Sequence, residues 1–161
     1  MSVQKNERVE FMGYYIAYGS NLNITQMKSR CPQSEIVGTG EIKDYELLFK
    51  GSKTGAYLTI EKKKGSTVPV AVYRISRTDE KKLDIYEGFP NFYYKSDFKI
   101  PVVLRNGDTK IFDAFAYIMH EERKIAKPSA IYVKVCQRGY HDFGFDTKYL
   151  AEALIKSRKL S

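Results

Sequence analysis

Two segments in the middle of the chain restrict its possible folds more than any other feature. The segments YYKSDFKIPVVL (93–104) and TKIFDAFAYIM (109–119) are rich in β-branched and aromatic residues, and they flank the four residues RNGD. An Asn-Gly pair between two alternating segments is a strong signal for a β-hairpin. We therefore predict two antiparallel strands here and a fold that is built around a sheet.

Strand signals also precede this hairpin. An apolar run predicts a first strand at residues 14–18, and the β-branched segment VPVAVYRI predicts another at 68–75. Between them, residues 35–63 alternate short β-like segments with glycines, which we interpret as short strands separated by turns. The chain is therefore expected to be rich in strands.

Helix signals are fewer and are separated by the strands. Asn23 or Thr25 is expected to cap a helix that runs through ITQMKSR, and Ser76 or Thr78 is expected to begin a second helix. The C-terminal part predicts a helix, a glycine-containing turn and a last helix from about Thr147. These helices complete a strand-rich α+β domain.

The length and composition fit one globular domain. The chain has 161 residues, of which 43% are hydrophobic and 29% are charged, and both fractions are ordinary for a folded protein. No repeat, linker or low-complexity segment divides the chain. We predict a single domain over residues 1–161, with residues 1–12 as a flexible N-terminal extension.

The sequence carries no signal for a membrane or for export. No apolar run approaches the roughly 18 residues of a membrane span, and MSVQKNERVEF lacks the apolar core of a signal peptide. Cys31 and Cys136 are far apart and show no CxxC spacing, so we interpret both as plain thiols rather than as zinc ligands or a disulfide. We expect a cytoplasmic protein.

The chain is basic, with a formal net charge of +8 and a pI near 9.3. Lysines cluster at residues 61–65, 79–82 and 155–161, and such clusters contact phosphates in nucleic-acid-binding proteins. Solvated turns and helix faces explain the same clusters, and we favour this interpretation. No RNA-binding or zinc-finger pattern supports a nucleic-acid partner, so none is expected.

Several familiar enzyme signatures fail in this sequence. HEERK (120–124) lacks the second histidine of a zinc protease motif, YGSNL (18–22) is not GxSxG, and neither GxGxxG nor a Walker motif occurs. His120 and His141 are the only histidines, which leaves few bases for a serine or cysteine relay. We therefore expect no metal site, phosphate-binding loop or Ser-His relay.

A carboxylate is the strongest remaining candidate for chemistry. In LDIYEGFPNFYY, Glu87 lies at the end of a predicted helix, directly before Gly88 and among apolar and aromatic residues. Burial at this position would raise the pKa of the carboxyl group towards the range that suits general acid–base catalysis. The alternative is an exposed Glu87 that only ends a turn.

The loop YGSN (18–21) is the second candidate. Here an apolar strand ends abruptly on three residues with small side chains. Consecutive backbone N–H groups at Gly19, Ser20 and Asn21 are able to bind a carboxylate or an oxyanion without a cationic side chain. The alternative is an ordinary turn.

These segments resemble the γ-glutamylcyclotransferase-like family, which includes the γ-glutamylamine cyclotransferases and the plant AIG2-like proteins. Three segments match in the family's order: YIAYGSNLN (15–23), LDIYEGFPNFYYK (83–95), and PSAIYVKVCQRGYHDFG with YLAEAL (128–154). GTGEIKDYELLF (38–49) also resembles the family's second strand region. The resemblance covers nearly the whole chain.

The resemblance implies a small mixed β-barrel with a few flanking helices and with the YGSN loop at its mouth. It implies that Glu87 is the catalytic residue, and that no cofactor or metal is needed. The substrate-binding residues that it implies are Tyr18, Gly19, Ser20, Asn21, Leu22, Tyr94 and Tyr132. Because Tyr93 adjoins Tyr94, the choice between these two tyrosines stays open.

The implied substrate is a small γ-glutamyl compound, and a monomer is the default oligomeric state. Its α-amine would attack the γ-amide carbon and close a five-membered lactam, which releases 5-oxoproline and a free amine or amino acid. Glu87 would move the proton. The identity of the γ-glutamyl compound stays open, and a catalytically inactive binding domain of the same fold is the alternative.

Overall fold

The computed structural model describes residues 10–52 and 54–161, without the side chains of Met12 and Ser52. The described residues form five strands and four α-helices. The strands are β1 (Phe11–Ala17), β2 (Glu35–Ser52), β3 (Gly55–Ser76), β4 (Tyr93–Leu104) and β5 (Thr109–Met119). The helices are α1 (Ile24–Arg30), α2 (Arg77–Glu87), α3 (Ala130–Phe143) and α4 (Lys148–Leu160), and a single 3₁₀ turn covers Ser20–Leu22.

The strands close into a mixed barrel in the order β1-β3-β2-β4-β5. Neighbouring strands are antiparallel except at the seam, where β1 pairs with β5 in parallel at Tyr15 and Phe115. The predicted hairpin is confirmed, because β4 and β5 have the predicted bounds and pair from Tyr93↔Met119 to Val103↔Thr109. The α+β class and the small mixed barrel are confirmed as well.

The prediction of short strands and turns over residues 35–63 is wrong. Here β2 and β3 form one long hairpin that pairs from Glu35↔Arg74 to Ser52↔Gly55. Gly38 and Gly40 lie inside β2, where the strand passes very close to β4. A Cβ atom at Gly38 would lie 2.1 Å from the backbone oxygen of Val103, and one at Gly40 would lie 2.6 Å from that of Pro101. These glycines permit close strand packing rather than turns.

Two of the four candidate capping residues, Asn23 and Ser76, cap their helices. The Asn23 side chain accepts a hydrogen bond from the Gln26 N–H, and Ser76 forms a capping box with Asp79. Gly88 caps the C-terminus of helix α2, and its φ of 62° lies in the left-handed region that glycine adopts most easily. Glu87 is thereby fixed as the last residue of α2.

The first strand begins earlier than predicted. It starts at Phe11 rather than at residue 14, so residues 11 and 12 of the expected N-terminal extension belong to the barrel. Residues 1–9 of that extension lie outside the described part of the chain. Within the described part, no helix is both long enough and apolar enough to span a membrane.

Aliphatic and aromatic side chains fill the barrel and the layer beneath the helices. Ile16, Ile60, Val70, Val72 and Met119 are fully buried in one continuous core. Helix α4 packs against β2, and α3 packs against the 3₁₀ turn that follows β1. The second packing contact places α3 beside the YGSN loop.

The close approach of β2 to β4 predicts the effect of a single methyl group. Gly38→Ala should lower the free energy of unfolding by about 3 kcal/mol, because its Cβ would overlap the Val103 carbonyl. Gly13→Ala in β1 is the matched control, since no atom lies within 4 Å of a Cβ there. Urea unfolding at fixed pH measures both values. Equal stability of the two variants would contradict the described packing.

Candidate active site

A cavity of about 400 Å³ opens at one end of the barrel. The loop after β1, the end of α2, the start of β4 and the start of α3 surround it, and seven tyrosines are among the described residues that line it. These tyrosines are Tyr15, Tyr18, Tyr57, Tyr86, Tyr93, Tyr117 and Tyr132. Glu87 and the loop residues Gly19, Ser20 and Asn21 line the same cavity. The structure thus brings together the two candidates that the sequence singled out.

The loop presents backbone to the cavity. The N–H groups of Leu22 and Asn23 close the 3₁₀ turn onto the Gly19 and Ser20 carbonyls, both at 3.0 Å. The N–H groups of Ser20 and Asn21 have no hydrogen-bond acceptor within the described residues. A Cβ at Gly19 would lie 3.3 Å from the Leu58 Cβ, so a larger residue would crowd this wall. The loop therefore has free donors and little side-chain bulk.

The Asn21 side chain holds the loop in place. Its Nδ2 donates to the Tyr15 hydroxyl at 2.8 Å, and its Oδ1 accepts from Arg30 at 2.6 Å. The backbone oxygen of Asn21 accepts a hydrogen bond from the Tyr73 hydroxyl at 3.3 Å. Because these polar atoms are already bonded, Asn21 offers a ligand mainly its backbone N–H.

The implied role of Leu22 in substrate binding is not supported by its position. Its side chain is fully buried in the core and does not line the cavity, and its N–H is bonded within the turn. Helix α3 fixes this part of the loop through Gly139, where a Cβ would lie 2.6 Å from the Leu22 carbonyl carbon and the Asn23 nitrogen. The buried side chain of Leu22 anchors the loop to the core.

Glu87 lies at the cavity with a carboxyl group that no described residue pairs. No hydrogen bond or ion pair reaches this carboxyl group from the described residues. Burial raises the pKa of Glu87 from 4.5 to about 7, and the nearby Arg30 guanidinium opposes this rise. Near neutral pH the group is therefore divided between its acid and its base form.

Arg30 supports the site from behind, and no sequence signal indicated it. Its guanidinium donates to Asn21 and Gln26 and lies 3.7 Å from the centroid of the Tyr86 ring. It thus connects the loop to the residue before Glu87. A basic residue in the last turn of a short surface helix is common, so Arg30 did not stand out in the sequence.

Of the two adjacent tyrosines between which the sequence left the choice open, Tyr93 lines the cavity, whereas Tyr94, the residue that the resemblance implied, does not. The Tyr93 hydroxyl donates to the Leu58 carbonyl at 2.8 Å, whereas the Tyr94 hydroxyl donates to Glu121 and its ring packs against His120 outside the cavity. Successive side chains of a strand point to opposite faces, so only one of the two tyrosines is able to reach the cavity.

Tyr18 and Tyr132, which the resemblance implied as substrate-binding residues, both line the cavity. The Tyr132 hydroxyl accepts a hydrogen bond from the Leu58 N–H at 3.0 Å, and the Tyr18 hydroxyl donates to the backbone oxygen of Tyr117. Burial, and to a smaller degree the charge of Glu87, raises the pKa of both phenols well above the ordinary value of 10. Both therefore stay protonated at neutral pH.

Tyr15, Tyr57, Tyr86 and Tyr117 were not predicted as lining residues. Tyr15 and Tyr117 face each other inside the barrel across the β1–β5 seam, with ring centroids 5.9 Å apart. The alternation of each strand would have assigned Tyr15 and Tyr117 to an inner face, although not to a shared cavity. Across the described part of the chain, no three His, Cys, Asp or Glu side chains converge as metal ligands.

The chain is similar to a known protein family in sequence and to several solved structures in fold. Residues 15–134 match the family model described as gamma-glutamyl cyclotransferase, AIG2-like. The solved structure of a gamma-glutamyl cyclotransferase is 24% identical, has a TM-score of 0.73, and aligns over 92% of this chain and 88% of its own. A comparison with curated proteins gave no significant match.

Two further solved structures share the fold. An uncharacterized protein from Homo sapiens is 24% identical with a TM-score of 0.71, over 92% of this chain and 88% of its own. YkqA from Bacillus subtilis is 21% identical with a TM-score of 0.70, over 91% of this chain and 54% of its own. These structural likenesses show the fold, and the match over residues 15–134 shows that the chain belongs to the gamma-glutamyl cyclotransferase, AIG2-like family.

Proposed function

We propose that this protein is a γ-glutamylcyclotransferase-type enzyme, which converts the γ-glutamyl group of a small amino acid or amine conjugate to 5-oxoproline and releases the free amine. Membership of the family supports a cyclotransferase-like activity. The observation that carries the specific proposal is Glu87, an unpaired carboxyl group within the described cavity whose pKa is raised to about 7.

The substrate supplies its own nucleophile. The α-amine nitrogen attacks the γ-amide carbon, a new C–N bond closes a five-membered ring, and the old amide C–N bond breaks. Intramolecular attack avoids much of the entropic cost of bringing two molecules together, which is worth up to about 7–11 kcal/mol in well-oriented systems. The enzyme therefore needs to fold the substrate and to move one proton.

Glu87 performs the proton transfer in this proposal. The α-amine is mostly protonated at neutral pH and is then unable to attack. The Glu87 carboxylate accepts a proton from the attacking nitrogen, and the resulting carboxylic acid returns one to the departing amine nitrogen. A pKa near 7 suits both half-reactions, because neither protonation state is rare at neutral pH.

The loop and the tyrosines orient the substrate. The unbonded N–H groups of Ser20 and Asn21 donate to the α-carboxylate or to the oxyanion that develops on the γ-carbonyl. The Tyr15 hydroxyl accepts from Asn21 and keeps its own proton for a ligand. The reaction consists of acyl and proton transfer, so we expect no cofactor.

The first test is release of 5-oxoproline from a panel of γ-glutamyl amino acids, γ-glutamyl-lysine and γ-glutamyl amines, measured by mass spectrometry. We expect release from at least one member. Glu87→Gln should lower kcat by about 10²–10⁴-fold and leave the dissociation constant within about threefold, because only the proton transfer is lost. Equal turnover by parent and variant would exclude the proposed role of Glu87.

The same experiment separates an enzyme from a binding domain. If the parent binds a panel member by calorimetry but releases no 5-oxoproline from any of them, the chain is a γ-glutamyl-binding domain. The fold would then stand and the catalytic proposal would fail.

The raised pKa of Glu87 predicts how stability depends on pH. The folded protein binds the Glu87 carboxyl proton more tightly than the unfolded chain, so the contribution of Glu87 to stability is largest in acid and is lost as the pH rises from about 4.5 through 7. Relative to Glu87→Gln, the parent should lose about 2–3 kcal/mol of unfolding free energy between pH 5 and pH 8. The free energy of unfolding of each protein is measured by urea unfolding across this pH range. If it changes by the same amount in the parent and in Glu87→Gln, the assigned burial of Glu87 is wrong.

The two adjacent tyrosines give a matched pair of variants. Tyr93→Phe removes the hydrogen bond to Leu58 at the cavity wall and should lower kcat/KM by about 5- to 50-fold. Tyr94→Phe removes only the bond to Glu121 outside the cavity and should leave kcat/KM within twofold. Steady-state kinetics measures both values. A larger loss of kcat/KM in Tyr94→Phe than in Tyr93→Phe would indicate that Tyr94, and not Tyr93, contributes to the site.

A further inference from the structure

Helix α2, which carries Glu87, has little apolar attachment to the core. All eleven of its residues are described, and of these only Asp79 and Leu83 are buried. Ile85, two residues before Glu87, is 82% exposed. A surface helix is usually held by an apolar stripe that packs on the core. The last turn of α2 therefore needs other contacts to keep its place.

Polar contacts at Asp84 supply this attachment. The Tyr117 hydroxyl donates a hydrogen bond to the Asp84 Oδ1 atom at 2.5 Å, and the Lys95 Nζ atom lies 2.9 Å from the same oxygen. Lys95 on β4 and Tyr117 on β5 are directly paired in the barrel. We call Asp84, Lys95 and Tyr117 the Asp84 cluster. This cluster joins α2 to two neighbouring strands at one point.

The Asp84 cluster is partly shielded from solvent. The side chains of Asp84 and Lys95 are 27% and 25% exposed, and Tyr117 is buried. The Lys95 Nζ atom lies 4.4 Å from the centroid of the Phe89 ring and donates to Glu80 at 3.2 Å. Hydrogen bonds to charged groups are roughly twice as strong as neutral ones, and shielding reduces the screening that weakens exposed ion pairs. The cluster is therefore a firm attachment for α2.

The Asp84 cluster is connected to Glu87 both along the helix and through the cavity wall. Asp84 lies three residues before Glu87, so the two are neighbours on the surface of α2. The Asp84 backbone oxygen accepts a hydrogen bond from the Phe89 N–H at 2.9 Å, which fixes the turn directly after Glu87. Tyr117 lines the same cavity as Glu87, whereas Asp84 is not among the described residues that line it. A displacement of Asp84 would thus move the last turn of α2 and one wall of the cavity together.

We propose that Asp84 is a positioning residue, which holds the last turn of α2 against β4 and β5 through Lys95 and Tyr117 and thereby fixes the place of the Glu87 carboxyl group in the cavity. This inference rests on the proposed function, in which Glu87 transfers the proton. A displacement of about 1 Å at a reacting group is able to cost about 10²-fold in rate. Asp84 acts through Glu87 in this assignment and does not touch the substrate.

Two substitutions of Asp84 separate its position from its charge. Asp84→Leu and Asp84→Asn both remove the negative charge, but only the asparagine keeps an oxygen that is able to accept the Tyr117 hydroxyl. We expect Asp84→Leu to lower kcat for 5-oxoproline release by about 10- to 100-fold with KM within about threefold, and Asp84→Asn to stay within about threefold of the parent in kcat. Equal losses in the two variants, or a change confined to KM, would overturn the inference.

Removal of one oxygen atom from Tyr117 tests the same attachment with less risk to folding. Tyr117→Phe should lower kcat as Asp84→Leu does, and the double variant should lose no more than either single variant, because the two residues act as a unit. Glu80→Gln is the matched control, since it removes the other ion pair of Lys95 but leaves the bond from Tyr117 to Asp84, and its kcat should equal that of the parent. Additive losses in the double variant, or a rise of KM in Tyr117→Phe without a loss of kcat, would overturn the inference.

A titration of Glu87 tests its position without any turnover. In ¹³C-labelled protein, the Glu87 carboxyl midpoint should move from near pH 7 towards 4.5 in Asp84→Leu and in Tyr117→Phe, because a displaced carboxyl group gains water. The midpoint should stay near pH 7 in Asp84→Asn and in Glu80→Gln. An unchanged midpoint in Asp84→Leu and Tyr117→Phe would overturn the inference. No 5-oxoproline from any substrate would overturn the proposed function, whereas this titration would still decide whether Asp84 positions Glu87.

Discussion

The backbone of Leu58 needs hydrogen-bond partners that no neighbouring strand provides. This half of β3 pairs with β2 on one side only, and the N–H and C=O of Leu58 are bonded instead by the hydroxyls of Tyr132 and Tyr93. A buried backbone group without a partner costs about as much as a lost hydrogen bond, so these two bonds tie α3 and β4 to β3. The cavity exists where these three elements meet.

The loop after β1 is held by a second set of contacts. Asn21 is bonded by Tyr15, Arg30 and Tyr73, and Gly139 allows α3 to lie directly against the backbone of Leu22. The side chains of the loop are thus used to position its backbone, which leaves the N–H groups of Ser20 and Asn21 for a ligand. A rigid loop of this kind supplies oriented dipoles without reorganisation when a substrate binds.

Local signals predicted the parts of this fold that depend on local interactions. The β4–β5 hairpin and the caps at Asn23 and Ser76 follow from short-range turn and capping chemistry, and all three are where the sequence indicated. The long β2 strand was missed because Gly38 and Gly40 look like turn residues, while the strand that requires them is distant in sequence. Arg30 and the choice of Tyr93 over Tyr94 likewise depend on which surfaces the barrel brings together. Glu87 was selected for its apolar neighbours in sequence, whereas the tyrosines that share its cavity, among them Tyr15, Tyr18 and Tyr117, come from distant parts of the chain.

We propose that Glu87 titrates near neutral pH and that its base form is required for cyclisation. The most direct measurement is an NMR titration of the glutamate side-chain carboxyl carbons in ¹³C-labelled protein, with Glu87→Gln used to assign the signal, alongside the pH dependence of kcat/KM. We expect the Glu87 carboxyl midpoint near pH 7, as burial implies, and a rise of kcat/KM with the same midpoint. A Glu87 midpoint near the ordinary value of 4.5, or a kcat/KM that does not follow the titration, would contradict it.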